Sequence, residues 1–161
     1  MNLPLSSPGT YALELRVTLP VTKKIGALGL HFISPGSYYY VGSAFGPGGL
    51  RGRLNHHLDL SNKPHWHIDY LRPHAEIEQI WYTYSVRCEH AWAAAFQSLP
   101  GCNLPILGFG SSDCGCPAHL FFFRQIPEPE ALQKSLASGM NARSVQCLPV
   151  TMAPNLRTSR L

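Results

Sequence analysis

The chain has 161 residues, of which 45% are hydrophobic and only 14% charged, and its net charge is +4. This length suits one domain, and the apolar content supplies a core without disulfide staples. No stretch approaches the ~20 apolar residues that a membrane-spanning helix needs. Residues 1–10 lack the basic and apolar regions of a secretory signal. We therefore expect a cytoplasmic protein with reduced thiols and no membrane contact.

Positive charge lies towards both ends of the chain, whereas residues 58–123 carry a net negative charge. Lys23, Lys24 and Arg51 belong to the basic N-terminal part. Such a part is suited to contact a phosphate backbone. The excess is small, so ordinary surface charge is the simpler explanation, and the charge pattern leaves both open.

The first half of the chain contains two predicted strands. Residues 11–17 alternate and are rich in strand formers, and residues 38–42 are aromatic and β-branched. A short extra strand is expected within residues 25–33, before a Pro-Gly turn. Because the two main strands are close in sequence, we expect them to pair antiparallel.

Helices and a third strand follow a glycine-rich loop at residues 45–49. Leucines spaced four apart predict a short helix over residues 50–60. Residues 66–73 are helical or irregular and end at a proline. Residues 76–84 alternate and predict the third strand, and the alanine-rich residues 87–99 predict a helix.

A loop is expected at residues 101–119, a last short strand at 120–123 and a helix at 130–138. The prediction is an α/β (α+β) domain over residues 1–123, with a small three-stranded antiparallel core sheet flanked by helices. Residues 124–161 are predicted to form a C-terminal tail that is partly helical or disordered, because their apolar density is low.

The first candidate site is Arg51-x-Arg53-x-x-x-His57 on the helix after the glycine-rich loop. Arg53 and His57 are four residues apart and share a helix face. A guanidinium binds phosphate through paired hydrogen bonds, and an imidazole transfers protons near pH 7. The alternative is an ordinary solvated helix face, and without other context this alternative is favoured.

The second candidate site is the string His65-Trp66-His67-Ile68-Asp69. On a strand, the two histidines and the aspartate would share one face and could bind a metal. We favour a structural role, with one histidine orienting a side chain that contacts phosphate.

The third candidate site is Asp113-Cys114-Gly-Cys116-Pro-Ala-His119, which offers three zinc ligands. The spacing differs from a Cys-x-x-Cys knuckle, and Cys88 or Cys102 would have to supply the fourth ligand. We therefore expect reduced, metal-free cysteines and no zinc, in a turn stabilised by Asp113.

Two tripeptides connect these sites to a known superfamily. Gly9-Thr10-Tyr11 opens the first strand, Tyr40-Val41-Gly42 ends the second, and Arg53 and His57 follow on the helix. This pattern resembles the GIY-YIG nuclease superfamily. Residues 9–123 look closest to an uncharacterised prokaryotic subfamily, a domain of unknown function that is sometimes fused to DNA glycosylases of the endonuclease III type. The strings that resemble this subfamily are Tyr-Tyr-Val-Gly-Ser-Ala (39–44), His-Trp-His-Ile-Asp-Tyr-Leu (65–71) and Gly-Phe-Gly-Ser-Ser-Asp-Cys (108–114).

The resemblance implies a role for each matching residue. Tyr11, Tyr40, Arg53 and His57 would be catalytic, and Glu89 would hold one Mg²⁺ or Mn²⁺ ion. Asp113 stands near the place of a late asparagine in that superfamily. Apart from the resemblance, the short link between His57 and His65 predicts that His65, His67 and Asp69 support the site from nearby.

The expected function is therefore metal-dependent hydrolysis of phosphodiester bonds, with DNA as the expected substrate and a DNA-repair glycosylase as a candidate partner. One alternative is a non-catalytic nucleic-acid-binding module that retains the nuclease fold. A weaker alternative is a zinc-stabilised interaction domain built on Cys114, Cys116 and His119.

Overall fold

In a computed structural model of the protein, four strands precede the first α-helix. The structure describes residues 2–138 and 145–150. Two short 3₁₀ turns, Gly26–Leu28 and Arg72–His74, join neighbouring elements. The strands are β1 Gly9–Val17, β2 Val21–Lys24, β3 Leu30–Ile33, β4 Gly36–Ala44, β5 Glu76–Tyr84, β6 Cys102–Asn103, β7 Leu120–Phe123 and β8 Gln146–Pro149. The helices are α1 Gly49–Leu58, α2 His67–Leu71, α3 Glu89–Ser98 and α4 Pro129–Ala137.

The main sheet has six strands in the order β6-β7-β4-β1-β5-β8, and every neighbouring pair is antiparallel. The prediction of a mixed α/β domain with an antiparallel sheet is confirmed, but the predicted number of three strands is wrong. The three predicted long strands form the centre, with β1 between β4 and β5. Short strands β6, β7 and β8 extend both sides, where they pair backbone groups that a three-stranded sheet would leave open.

Helices cover both faces of this sheet. Because side chains alternate along a strand, Leu13 and Leu15 of β1 face α1 and α2, whereas Ala12 faces α3. On the first face, Leu50 and Leu54 of α1 are fully buried. In the described part of the chain, no helix is long and apolar enough to span a bilayer.

The β2–β3 hairpin stands apart from the main sheet. The extra strand predicted within residues 25–33 begins only at Leu30, because a 3₁₀ turn and a left-handed Gly29 with φ 85° precede it. Strand β2, which carries Lys23 and Lys24, was not predicted.

The C-terminal segment contributes to the core. Leu132 and Leu136 of α4 are fully buried with Trp92 of α3, and β8 pairs with β5. Within the predicted tail, residues 139–144 and 151–161 lie outside the described residues.

Candidate active site

A polar cleft of about 660 Å³ gathers side chains from both faces of the sheet and from the loop before β7. Tyr11 of β1, Tyr40 of β4 and Arg53 of α1 line it, and so does Glu89, the first residue of α3. His57 lies behind Tyr11 and is almost fully buried, at 1% exposure. The tertiary structure thus brings together five residues that are spread over nearly eighty positions of the chain.

Behind the wall of the cleft, Tyr11 Oη and His57 Nε2 form a short, buried hydrogen bond of 2.7 Å. Gly42 makes room for it, because a Cβ at this position would overlap the phenol oxygen of Tyr11. Tyr40 packs edge-on against His57, with ring centroids 6.1 Å apart. Glycine is therefore required at the end of the Tyr-Val-Gly tripeptide, because the Tyr11 ring approaches β4 too closely for a larger residue.

Burial controls the protonation of this pair. Burial raises the pKa of Tyr11 well above its ordinary value, and nearby Tyr40 raises it further, while Arg53 opposes both. Burial likewise raises the pKa of Tyr40. The pKa of His57 is lowered by burial, although Asp69 acts in the opposite direction. At neutral pH the pair is therefore a neutral phenol hydrogen-bonded to a neutral imidazole.

Asp69 supports the histidines of α1 from α2. Its Oδ2 accepts hydrogen bonds from the backbone N–H groups of His65 and Trp66, at 2.8 and 2.9 Å, and lies 3.1 Å from His56 Nε2. Its Oδ1 lies 3.8 Å from His57 Nδ1. Burial favours a higher pKa for Asp69, but the histidines and the two N–H donors outweigh burial and hold its pKa well below the usual range.

This arrangement predicts a loss of stability in acid. A carboxylate whose pKa is depressed on folding stabilises the native state above its unfolded pKa of ~3.9, and this stabilisation is lost as the pH falls towards the lower folded value. We expect Asp69→Asn to be less stable at neutral pH by about 1–3 kcal/mol. Urea unfolding between about pH 3 and 7 should also show a shallower acid-side slope for the variant than for the wild type.

The control for this prediction is Glu130→Gln, a change at an exposed residue of α4. It should retain the wild-type slope and midpoint. Equal slopes for Asp69→Asn and the wild type would contradict the role assigned to Asp69.

Two arginines give the cleft positive charge. The Arg53 guanidinium lies 4.0 Å from the centre of the Trp66 ring, which holds it by a cation–π contact. Arg87 stacks on Phe45 at the same distance. Both arginines line the cleft, so their charges are available to an anion bound there.

Glu89 also lines the cleft, and its side chain contacts the loop before β7. Its Oε1 is 3.2 Å from Nδ1 of His119, and its side chain is 27% exposed. Burial alone raises the pKa of Glu89, but His119 and Ser43 outweigh burial, so the net pKa is lowered. Glu89 is therefore an ionised carboxylate within reach of a cation in the cleft.

The residues predicted to support the site border the cleft but, as far as the structure describes the chain, they form no metal site of their own. His65, His67 and the exposed Asp113 line the cleft, and His67 Nδ1 accepts a hydrogen bond of 2.9 Å from the Gly110 N–H. Among the described residues, His65, His67 and Asp69 do not form a metal-binding group. The alternating strand face on which that idea depended is also absent, because α2 begins at His67.

The predicted nucleic-acid contacts lie away from the cleft lining. Arg51 donates a hydrogen bond of 3.1 Å to the Pro4 carbonyl oxygen, and so connects α1 to the N-terminal segment. Lys23 and Lys24 belong to the separate β2–β3 hairpin.

Sequence reasoning missed Arg87 and His90, which also line the cleft. Both flank Glu89, so proximity to a proposed metal ligand was the available signal. His90 also lies close to Cys114, Cys116 and His119, whereas the expected fourth ligand was Cys88 or Cys102.

The fold and cleft define an α/β protein whose site combines tyrosine and histidine with two arginines and two carboxylates. The family model of the domain of unknown function DUF123 matches residues 10–142, so the chain belongs to this family. No match was found among curated proteins or among solved structures.

Proposed function

We propose that this protein is an endonuclease of the GIY-YIG type that hydrolyses DNA phosphodiester bonds with one divalent metal ion. The observation that carries the proposal is the hydrogen bond between Tyr11, which lines the cleft, and the buried His57 behind it. Arg53 and Glu89 line the same cleft. These positions coincide with the residues that the sequence resemblance assigns to catalysis.

The Tyr11–His57 pair provides a route for the proton of the attacking water. A buried phenol is a weak base, because burial raises the pKa of Tyr11. However, its proton can pass along the 2.7 Å hydrogen bond to the neutral Nε2 of His57 while its oxygen accepts a proton from water. Asp69, on the Nδ1 side of the ring, stabilises the imidazolium that results.

In this proposal, Arg53 binds the scissile phosphate. A guanidinium forms paired hydrogen bonds with phosphate oxygens and neutralises the charge that grows in the transition state. The Trp66 ring restricts the orientation of this guanidinium before substrate binds. Less conformational entropy is then lost when the phosphate is bound.

The residues present fit a hard divalent cation. Glu89 offers an ionised, half-buried carboxylate in the cleft, and Mg²⁺ commonly uses one or two protein carboxylates and retains several waters. When bound, the ion supplies polarisation of the phosphate and stabilisation of the leaving oxygen. The remaining steps are performed by Tyr11, His57 and Arg53.

Replacement of the metal ligand separates cleavage from binding. We expect Glu89→Gln to reduce cleavage of labelled duplex, branched and single-stranded DNA by at least about 100-fold in Mg²⁺. Its DNA affinity should be retained, because Arg53 and Arg87 are untouched. Gel assays of cleavage and fluorescence anisotropy of binding measure the two effects.

The matched control is Glu76→Gln, which removes an exposed carboxylate at the start of β5, outside the cleft. It should cleave like the wild type. If the wild type binds DNA but cleaves none of these substrates in Mg²⁺ or Mn²⁺, the protein is a binding module and the proposed activity is wrong.

A further inference from the structure

A second group of ligands lies beside the cleft, at the junction of α3 and the loop that precedes β7. The ligand atoms of His90, Cys114, Cys116 and His119 all lie within 4.8 Å of one another. Three of them come from the Cys-x-Cys-x-x-His string, and His90 comes from the first turn of α3. We propose that these four side chains form a structural zinc site.

The distances within the group are close to those of a zinc tetrahedron. Zinc bonds of about 2.3 Å to sulfur and 2.0–2.1 Å to nitrogen place neighbouring ligand atoms roughly 3.3–3.8 Å apart. Cys114 Sγ already lies 3.5 Å from His119 Nε2. Small side-chain rotations of the exposed His90 and the half-buried Cys116 would bring the rest into range.

The chemistry of the donors favours zinc over the hard cation proposed for Glu89. Two thiolates and two imidazoles select a soft or borderline metal, whereas Mg²⁺ takes oxygen ligands. Four protein ligands close the coordination sphere, which is typical of a structural site. None of the five cysteines forms a disulfide, so the thiols of Cys114 and Cys116 are available to bind a metal.

Glu89 contacts the proposed zinc ligand His119 on the ring nitrogen that faces away from Cys114. Its Oε1 lies 3.2 Å from His119 Nδ1, so that Nε2 is the nitrogen on the side of Cys114. Histidines that bind zinc commonly donate their second N–H to a carboxylate, which fixes the ring and its tautomer. His119 itself is held by backbone hydrogen bonds to Val41 and Phe109, at 2.9 and 2.7 Å.

The zinc ion would hold part of the cleft wall in position. Ser112 and Asp113 line the cleft. Among the described residues, the segment 112–116 makes one backbone–backbone hydrogen bond, from the Cys114 N–H to the Ser111 carbonyl oxygen. A metal held by Cys114, Cys116 and His119 fastens this segment to α3 through His90. The zinc therefore positions the loop and the N-terminus of α3, which carries Glu89.

The test is the metal content of the full-length chain, purified without chelators from cells grown with zinc. We expect one zinc per chain by elemental analysis and native mass spectrometry. Cys116→Ser and His90→Ala should lose at least nine tenths of it. The matched control is Cys102→Ser, a half-buried cysteine outside the group, which should keep one zinc per chain.

His90→Ala guards against loss of metal by unfolding, because His90 is exposed and its removal leaves the core intact. Cobalt(II) provides a second readout, since bound thiolates give charge-transfer absorption that should appear in the wild type and disappear in Cys116→Ser. A wild type without zinc, zinc retained in either variant, or a Cys114–Cys116 disulfide in the native protein would overturn the proposal.

These measurements contain no nucleic acid, so they are independent of the proposed cleavage. Glu89→Gln should retain stoichiometric zinc, with an affinity weakened by about 10–100-fold. Cleavage without zinc would refute only the zinc site, and zinc without cleavage would refute only the nuclease.

Discussion

Arg53→Ala is expected to reduce DNA cleavage by about 10²–10³-fold while the protein remains folded. The guanidinium supplies charge to the phosphate in the transition state, and loss of one such donor costs about this much in rate. Its structural contact is the Trp66 ring at 4.0 Å, and a cation–π contact between such half-buried partners is worth about 0.5–2 kcal/mol. Single-turnover cleavage rates and urea unfolding measure the two quantities separately.

Arg51→Ala is the matched control, because Arg51 lies two residues away on the same helix but bonds to Pro4 rather than to the cleft. It should change stability slightly and cleavage by less than a few fold. Arg53→Lys should recover only part of the rate, since an ammonium lacks the paired donors of the guanidinium. Undiminished cleavage by Arg53→Ala would remove Arg53 from the mechanism.

Tyr11→Phe is expected to reduce cleavage by about 10²–10⁴-fold, the usual contribution of a positioned proton-transfer group. It removes the oxygen that receives the proton of water and the link to His57. It also leaves the buried Nε2 of His57 without its partner, which should cost about 1–3 kcal/mol of stability. The two effects are measured by cleavage rates at saturating metal and by urea unfolding.

Tyr38→Phe separates stability from catalysis in this experiment. The Tyr38 hydroxyl donates a 2.7 Å hydrogen bond to the Ser34 carbonyl oxygen, but Tyr38 does not line the cleft. Its loss should cost about 0.5–1.5 kcal/mol and leave cleavage unchanged. If Tyr11→Phe slows cleavage no more than Tyr38→Phe does, Tyr11 has no role in proton transfer.

Much of the central architecture follows from local sequence. The alternation at residues 76–84 predicts β5 with its observed ends, and the strand formers around Tyr11 and Tyr40 predict β1 and β4. The observed register, in which Leu13 pairs with Tyr40 and Tyr11 with Gly42, places these two tyrosines on one face of the sheet, and the sequence did not specify that register. The four-residue spacing of Arg53 and His57 places both on one side of α1.

The two outermost strands, β6 and β8, could not be predicted from local sequence. Strands β6 and β8 have two and four residues, which is too short for a periodic signal. Such strands form because β7 and β5 offer unpaired backbone edges, and an edge exists only after the central strands have assembled.

The character of the site was decided by tertiary structure. The sequence pairs His57 with Arg53 on a helix face, but packing of α1 on the sheet buries His57 and bonds it to Tyr11, 46 positions earlier in the chain. The cysteines of the Cys-x-Cys-x-x-His string specify three ligands, and only the fold brings His90 to them. Residue types and local spacing are determined by the sequence, whereas contacts between distant residues depend on how the helices pack against the sheet, and local periodicity carries no information about that packing.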